Sequence, residues 1–140
     1  DQFDEAFNEV GSAIAIVSAS GGDLDLLTDY EDFAYYPDWS WTSDAIVFST
    51  ETLGYRASDA PPVASWNLFT IRPDGSDKQQ ITDSADGHFL WQPSWVPGEN
   101  RLTATEDSEQ GRRGVWVDVE TGEISPIAAD LMTHTRAQPQ

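Results

Sequence analysis

The sequence predicts an all-β chain, a partial β-propeller of about two and a half four-stranded antiparallel blades. Three observations predict it. A hairpin-like unit occurs three times, and a Pro-x-Trp unit falls between the copies. The strands they mark carry apolar residues on both faces, as in Val115, Val117 and Val119 opposite Trp116. A sheet buried between two neighbours needs that pattern; a half-exposed sheet does not.

The hairpin units run over Ile14–Thr28, Leu68–Thr82 and Trp116–Ile127. Each is a short β-branched run, a glycine turn, and a second run ending in an aliphatic residue. The other unit pairs Pro37-Asp38-Trp39 with Pro93-Ser94-Trp95, and an aliphatic residue follows each Trp by seven positions (Ile46 and Leu102). Proline suits the first position of a strand, where no ladder donor is needed. Ser43-Asp44 and Pro97-Gly98 supply the intervening turns. Concatenated, residues 13–28 form the second half of a blade, 37–82 and 93–127 form full blades, and 128–140 lead into a next one. The excess length of the first full blade falls in the loop from Glu51 to Ser65. From Ile81 to Pro93 is twelve residues, and from Ile127 to Pro139 is also twelve. The chain is therefore expected to be a fragment of a longer propeller, since a ring needs at least about four blades. The missing blades would come from the rest of the chain or from another copy.

Strand parity sorts the connections. Tight turns at 42–44, 73–76, 97–100 and 121–123 fall on one side. The connections read as long, at 29–36, 51–65, 83–92, 106–113 and 128–138, fall on the other. Irregular loops gathered on one face are where recognition is expected. Tyr35, Tyr36, Tyr55, Arg56, His88, Trp91, Arg112 and Arg113 lie there and are the candidate binding residues for a protein or small ligand. Tyr30, Phe33, Phe89 and Arg136 share that face. The competing reading makes Tyr35, Tyr36 and Trp91 lids over the blade tops.

Charge narrows the partners. Asp and Glu number 25 against 7 Lys and Arg, for a net charge of −18. Such a surface repels nucleic acid and anionic membranes. A salt-adapted host and an acidic exported protein both fit it. No apolar run reaches membrane-spanning length. With no cysteine there is neither a disulfide framework nor a thiolate metal site. No Gly-x-Ser-x-Gly elbow, phosphate-cradling loop or His-Glu-x-x-His helix occurs, and no cofactor is implied. His88 and His134 each begin His-x-x-x-Gln-Pro, seven residues after a blade-ending aliphatic. They are candidates for a metal cluster on the ring axis, or else repeat residues making loop hydrogen bonds.

At Leu27-Thr28, Ile81-Thr82, Pro37-Asp38-Trp39-Ser40, Pro93-Ser94-Trp95 and Asp74-Gly75 the sequence resembles the TolB-type propeller repeat. The Ser-Pro-Asp-Gly turn of that repeat is degraded to Trp41–Asp44 and Val96–Glu99. The resemblance implies a non-catalytic recognition module in the periplasm or outside the cell. It leaves open the propeller of an enzyme: the gating domain of a prolyl-oligopeptidase-like hydrolase, or a metal-dependent lyase similar to oligogalacturonate lyase.

Overall fold

The computed structural model describes residues 2–3, 9–54, 63–85 and 87–127. Twelve strands run in chain order: β1 (Gln2–Phe3), β2 (Glu9–Gly11), β3 (Ala15–Ile16), β4 (Asp25–Leu26), β5 (Ala34–Trp39), β6 (Ile46–Gly54), β7 (Val63–Ile71), β8 (Gln79–Gln80), β9 (Phe89–Trp95), β10 (Arg101–Ser108), β11 (Gly111–Asp118) and β12 (Ile124–Pro126). A 3-10 turn at Tyr30–Asp32 precedes β5. No helix among the described residues is long and apolar enough to cross a membrane.

The pairing is that of a partial propeller. β1 pairs with β2, and β3 with β4, which form the second half of a blade. β5 to β8 pair antiparallel in sequence order, and so do β9 to β12. A single parallel bridge, Trp66 with Phe89, ties the two full blades together. The ring is open.

Burial follows the stacking. One apolar cluster joins Val47 and Leu68 of the first full blade to Leu90, Leu102, Val115 and Val117 of the second. Another joins Ile14 of the half blade to Ala34, Ile46, Phe48 and Ile71. Adjacent residues of β6 therefore point into different clusters, Val47 to one side and Ile46 and Phe48 to the other. Alternating side chains of a strand face opposite ways, so Ile46, Val47 and Phe48 at the start of β6 must all be apolar.

The repeat elements have a hydrogen-bonding logic. Leu27 N–H donates to Ile14 O at 2.8 Å, and Ile81 N–H to Leu68 O at 2.8 Å. The following threonine continues the pattern: Ile14 N–H donates to Thr28 Oγ1 at 2.9 Å, and Leu68 N–H to Thr82 Oγ1 at 3.0 Å. The threonine hydroxyl thus occupies a buried strand donor where the ladder ends. Thr82 also donates to Asn67 Oδ1 at 2.9 Å. In the last blade Ile127 N–H donates to Gly114 O at 3.0 Å, so Ile14, Leu68 and Gly114 are equivalent positions.

The degraded turns keep one geometry despite unlike sequences. Ser40 N–H donates to Ala45 O and Ser43 N–H to Ser40 O; Val96 N–H donates to Arg101 O and Glu99 N–H to Val96 O. The Pro-x-Trp units differ from the sequence expectation. Pro37 and Pro93 lie inside β5 and β9, not at their starts, because both strands begin earlier, at Ala34 and Phe89. Each proline sits in a bulge. Tyr36 and Pro37 together oppose Phe48, and Gln92 and Pro93 oppose Ala104. The bulge is what frees the proline from donating to the ladder. The residue before each proline has positive φ, 57° at Tyr36 and 52° at Gln92. Across the junction, Trp95 N–H donates to Asp38 Oδ2 at 2.9 Å and Trp95 Nε1–H to Asp38 O at 3.2 Å. The middle residue of one Pro-x-Trp unit therefore fixes the tryptophan of the next.

Segment 106–113 is also not a loop. β10 and β11 run through it, paired up to Ser108 opposite Gly111, with a two-residue turn at Glu109-Gln110. The glycine at φ 117°, Gly111, supplies the sharp reversal that the sequence reading spread over eight residues.

Two predictions follow from these contacts. Gly122 has φ 74°, and a Cβ there would overlap the Ile81 carbonyl of the preceding blade, whereas Gly98 has φ 76° and open space. Gly98→Ala should cost about 1–2 kcal/mol from backbone strain alone. Gly122→Ala should cost more, read as a larger fall in urea midpoint; equal falls would show that blade contact at Gly122 does not matter. Thr82→Val strands the buried Leu68 N–H and should cost about 1–3 kcal/mol. Thr82→Ser should recover most of that in the same unfolding experiment.

Candidate functional site

Strand direction puts the starts of β5, β7, β9 and β11 and the end of β10 at one end of the sheets. The aromatic residues of the junction between the two full blades gather there. Tyr35 stacks on Trp66 with ring centroids 5.3 Å apart and planes 4° from parallel. Tyr36 meets Trp91 at 5.9 Å, tilted by 51°. Tyr36, Trp66, Phe89, Trp91 and Asp107 line an open cleft of about 300 Å³. Tyr36 is 42% exposed, high for a tyrosine in a strand.

Each element positions its residue for a local reason. The bulge before Pro37 sets the backbone from which Tyr36 projects. Trp66 N–H donates to His88 O at 3.1 Å, which locks β7 to the entry of β9. Trp91 Nε1–H donates to Asp107 Oδ2 at 2.9 Å, so the indole is pinned in plane. Arg112, directly across the ladder from Asp107, donates to it from Nε at 2.8 Å and Nη2 at 3.2 Å. The same guanidinium lies 5.0 Å from the Trp91 ring centroid. These hydrogen bonds, Arg112 first and Trp91 after it, hold the Asp107 carboxyl below its ordinary value of 3.8. Asp107 in turn raises the Arg112 guanidinium.

A second cluster lies beside the first. Glu106, whose side chain is only 7% exposed, accepts from Arg113 Nε at 2.7 Å, and His88 Nδ1 stands 3.6 Å from its other oxygen. His88, Glu106, Arg112 and Arg113 line a smaller recess of about 230 Å³ with Ser108 and Gln110. The carboxylate is buried but paired, as a buried charge must be.

Of the residues picked from the sequence, Tyr35, Tyr36, His88, Trp91, Arg112 and Arg113 come together at this end. Tyr55, Arg56 and His134 lie outside the described residues, as do Arg136 and the rest of 128–140. Both arginines sit on cross-strand carboxylates and so offer no unpaired positive charge. Sequence reasoning missed Trp66, Glu106 and Asp107. Trp66 stands two positions before the Leu68 that opens the repeat unit, and cross-strand pairing of Glu106-Asp107 with Arg112-Arg113 becomes visible once the two-residue hairpin is recognised. No group of three or more metal-ligating side chains occurs among the described residues.

No protein-family model matches the chain, and no curated protein does. Solved structures do resemble it. One, a protein of Agrobacterium tumefaciens assigned to TolB, superposes with a TM-score of 0.64 at 20% identity. The superposition takes in 81% of this chain and 40% of that one, so the chain spans less than half of that protein's length. The likeness establishes a shared propeller-type fold.

The lowered Asp107 carboxyl has a pH signature. Its ionised form stabilises the fold at pH values above 3.8, and that contribution is lost as pH falls through the lower folded value. An NMR titration of the Asp107 carboxyl carbon should give a midpoint under 3.8, moving upward in Arg112→Ala. A midpoint that ignores Arg112 would show that the ion pair does not form in solution.

Proposed function

We propose that the chain is a non-catalytic recognition module, and that it binds a protein or small ligand through the aromatic cleft between its two full blades. The observation that supports this most is convergence. Four aromatic side chains and one carboxylate, from four strands in two blades, border one open cleft. Tyr and Trp are favoured anchors because they bring large area with little conformational freedom to lose. The cleft lies at the end away from the turn carboxylates Asp44, Asp74 and Asp118, each of which satisfies hydroxyls or backbone N–H groups of its own turn. Those acids have a structural occupation in their own turns.

The half blade supports a further part of the reading. Val17, Leu24 and Leu26 are 50%, 62% and 50% exposed. Apolar residues at an open sheet face ask for a neighbour. We assign that place to another blade of a longer propeller, in keeping with the greater length of the Agrobacterium protein. We further propose a location in the periplasm or outside the cell, a reading supported by the resemblance of the repeat to the TolB type.

Partner retention tests the reading. The full propeller would be immobilised and exposed to extract of its host, and bound species compared between the native protein and three variants. Trp91→Ala and Tyr36→Ala should each lose about tenfold or more in affinity for the retained partner, the range of an interface anchor. Trp41→Ala, at the opposite end and 60% exposed, should retain it. Loss on Trp41→Ala with retention by both cleft variants would move the binding surface to the other end.

A further inference from the structure

We propose that the cleft takes a small, fully alkylated ammonium ion, an inference that rests on the cleft being the binding surface. Three features of the lining select this ligand chemistry.

The first is the walls. Tyr36, Trp66, Phe89 and Trp91 surround one space with aromatic side chains. A ring face is the negative part of an aromatic quadrupole, and a cation within about 6 Å of its centroid is attracted. The protein already demonstrates this at the same ring, because Arg112 stands 5.0 Å from Trp91.

The second is the scarcity of acceptors among the described residues of the lining. Among the described residues, Asp107 is the one acidic residue of the lining. Its two oxygens already receive Trp91 Nε1–H, Arg112 Nε–H and Arg112 Nη2–H. A primary ammonium carries three donors, more than the Tyr36 hydroxyl and the remaining Asp107 lone pair accept, so ring contact would cost it hydration. A quaternary ammonium has no donor to satisfy. Its charge is spread over methyl groups that pack on rings, so the same walls suit it.

The third is charge. Asp107 and Arg112 sum to zero, so neither decides the sign of the ligand. The remaining surface does, since the chain carries −18 overall. That field favours cations over anions at the surface, the more so at low salt. It disfavours a quaternary ammonium attached to a phosphate, as in a lipid headgroup, and favours a free cationic solute.

The experiment compares choline with its uncharged isostere 3,3-dimethylbutan-1-ol on the native protein, by NMR of the six Trp indole N–H signals. Choline should shift the Trp66 and Trp91 signals and bind about tenfold more tightly than the alcohol. Asp107→Asn leaves Arg112 without its counter-charge and should cut that preference to about threefold or less. Equal affinity for the two compounds would overturn the cation inference while leaving the cleft as an apolar binding surface. Shifts confined to Trp39 and Trp41, or none with choline, would overturn it as well. The partner-retention comparison stands apart from each of these outcomes.

Discussion

Every blade in this chain has to bury both faces of its sheet, and the rest of the structure depends on that requirement. An isolated four-stranded sheet with apolar residues on both sides cannot satisfy it. Stacking can, and the two apolar clusters show how. Val47 closes one junction while its neighbours Ile46 and Phe48 close the other. The backbone groups at the junctions must then be satisfied without water. The Thr28 and Thr82 hydroxyls do this at equivalent places in two repeats, and the Asp38–Trp95 staple and the bridge at Trp66 do it where the two full blades meet. The threonine recurs because stacking removes the solvent that would otherwise serve the strand donor.

The same requirement explains what could be read in the sequence. Apolar strands on both faces, the aliphatic-Thr element and Pro-x-Trp were legible because each answers to stacking directly, at a fixed spacing. The strand starts were less legible. A proline suggests a strand edge by its missing donor, but a bulge removes the need for that donor just as well, and nothing in Tyr36-Pro37 or Gln92-Pro93 distinguishes the two. Segment 106–113 misled for a related reason. It is charged and contains Gly111, so it resembles a loop. Its charges are in fact matched pairwise across a ladder, Glu106 with Arg113 and Asp107 with Arg112. Reading that requires the register, which the neighbouring hairpins alone do not fix.

The acidity of the chain is likewise not uniform in its effect. Turn acids such as Asp44 and Asp74 are held below the ordinary carboxylate value by hydroxyls and backbone N–H groups of their own turns. Asp107 is held there by Arg112 instead, and the buried Glu106 is paired with Arg113. The first kind fixes local geometry and is replaceable by any turn of the same shape, as the unlike sequence at Val96–Arg101 shows. The second kind orients an aromatic and one wall of a recess, and no equivalent acid–arginine pair stands in the first full blade among the described residues.

That contrast locates function within the repeat. Ile14, Leu68 and Gly114 are equivalent by their hydrogen bonds, so the residues two positions earlier, Ser12, Trp66 and Arg112, are equivalent too. Ser12 N–H and Trp66 N–H both donate to the chain entering the next blade, to Tyr30 O at 2.9 Å and His88 O at 3.1 Å. Their side chains do unrelated things: Ser12 donates to Ala34 O, Trp66 stacks on Tyr35, and Arg112 holds Asp107. Tyr36 and Gln92 divide in the same way, sharing a bulge and a positive φ but only one of them lining the cleft. The backbone pattern is what stacking constrains. Side chains at the blade ends are released from it, so a repeat built under one packing rule can still gather aromatics at a single junction. The cleft is found where the scaffold repeats and the residues do not.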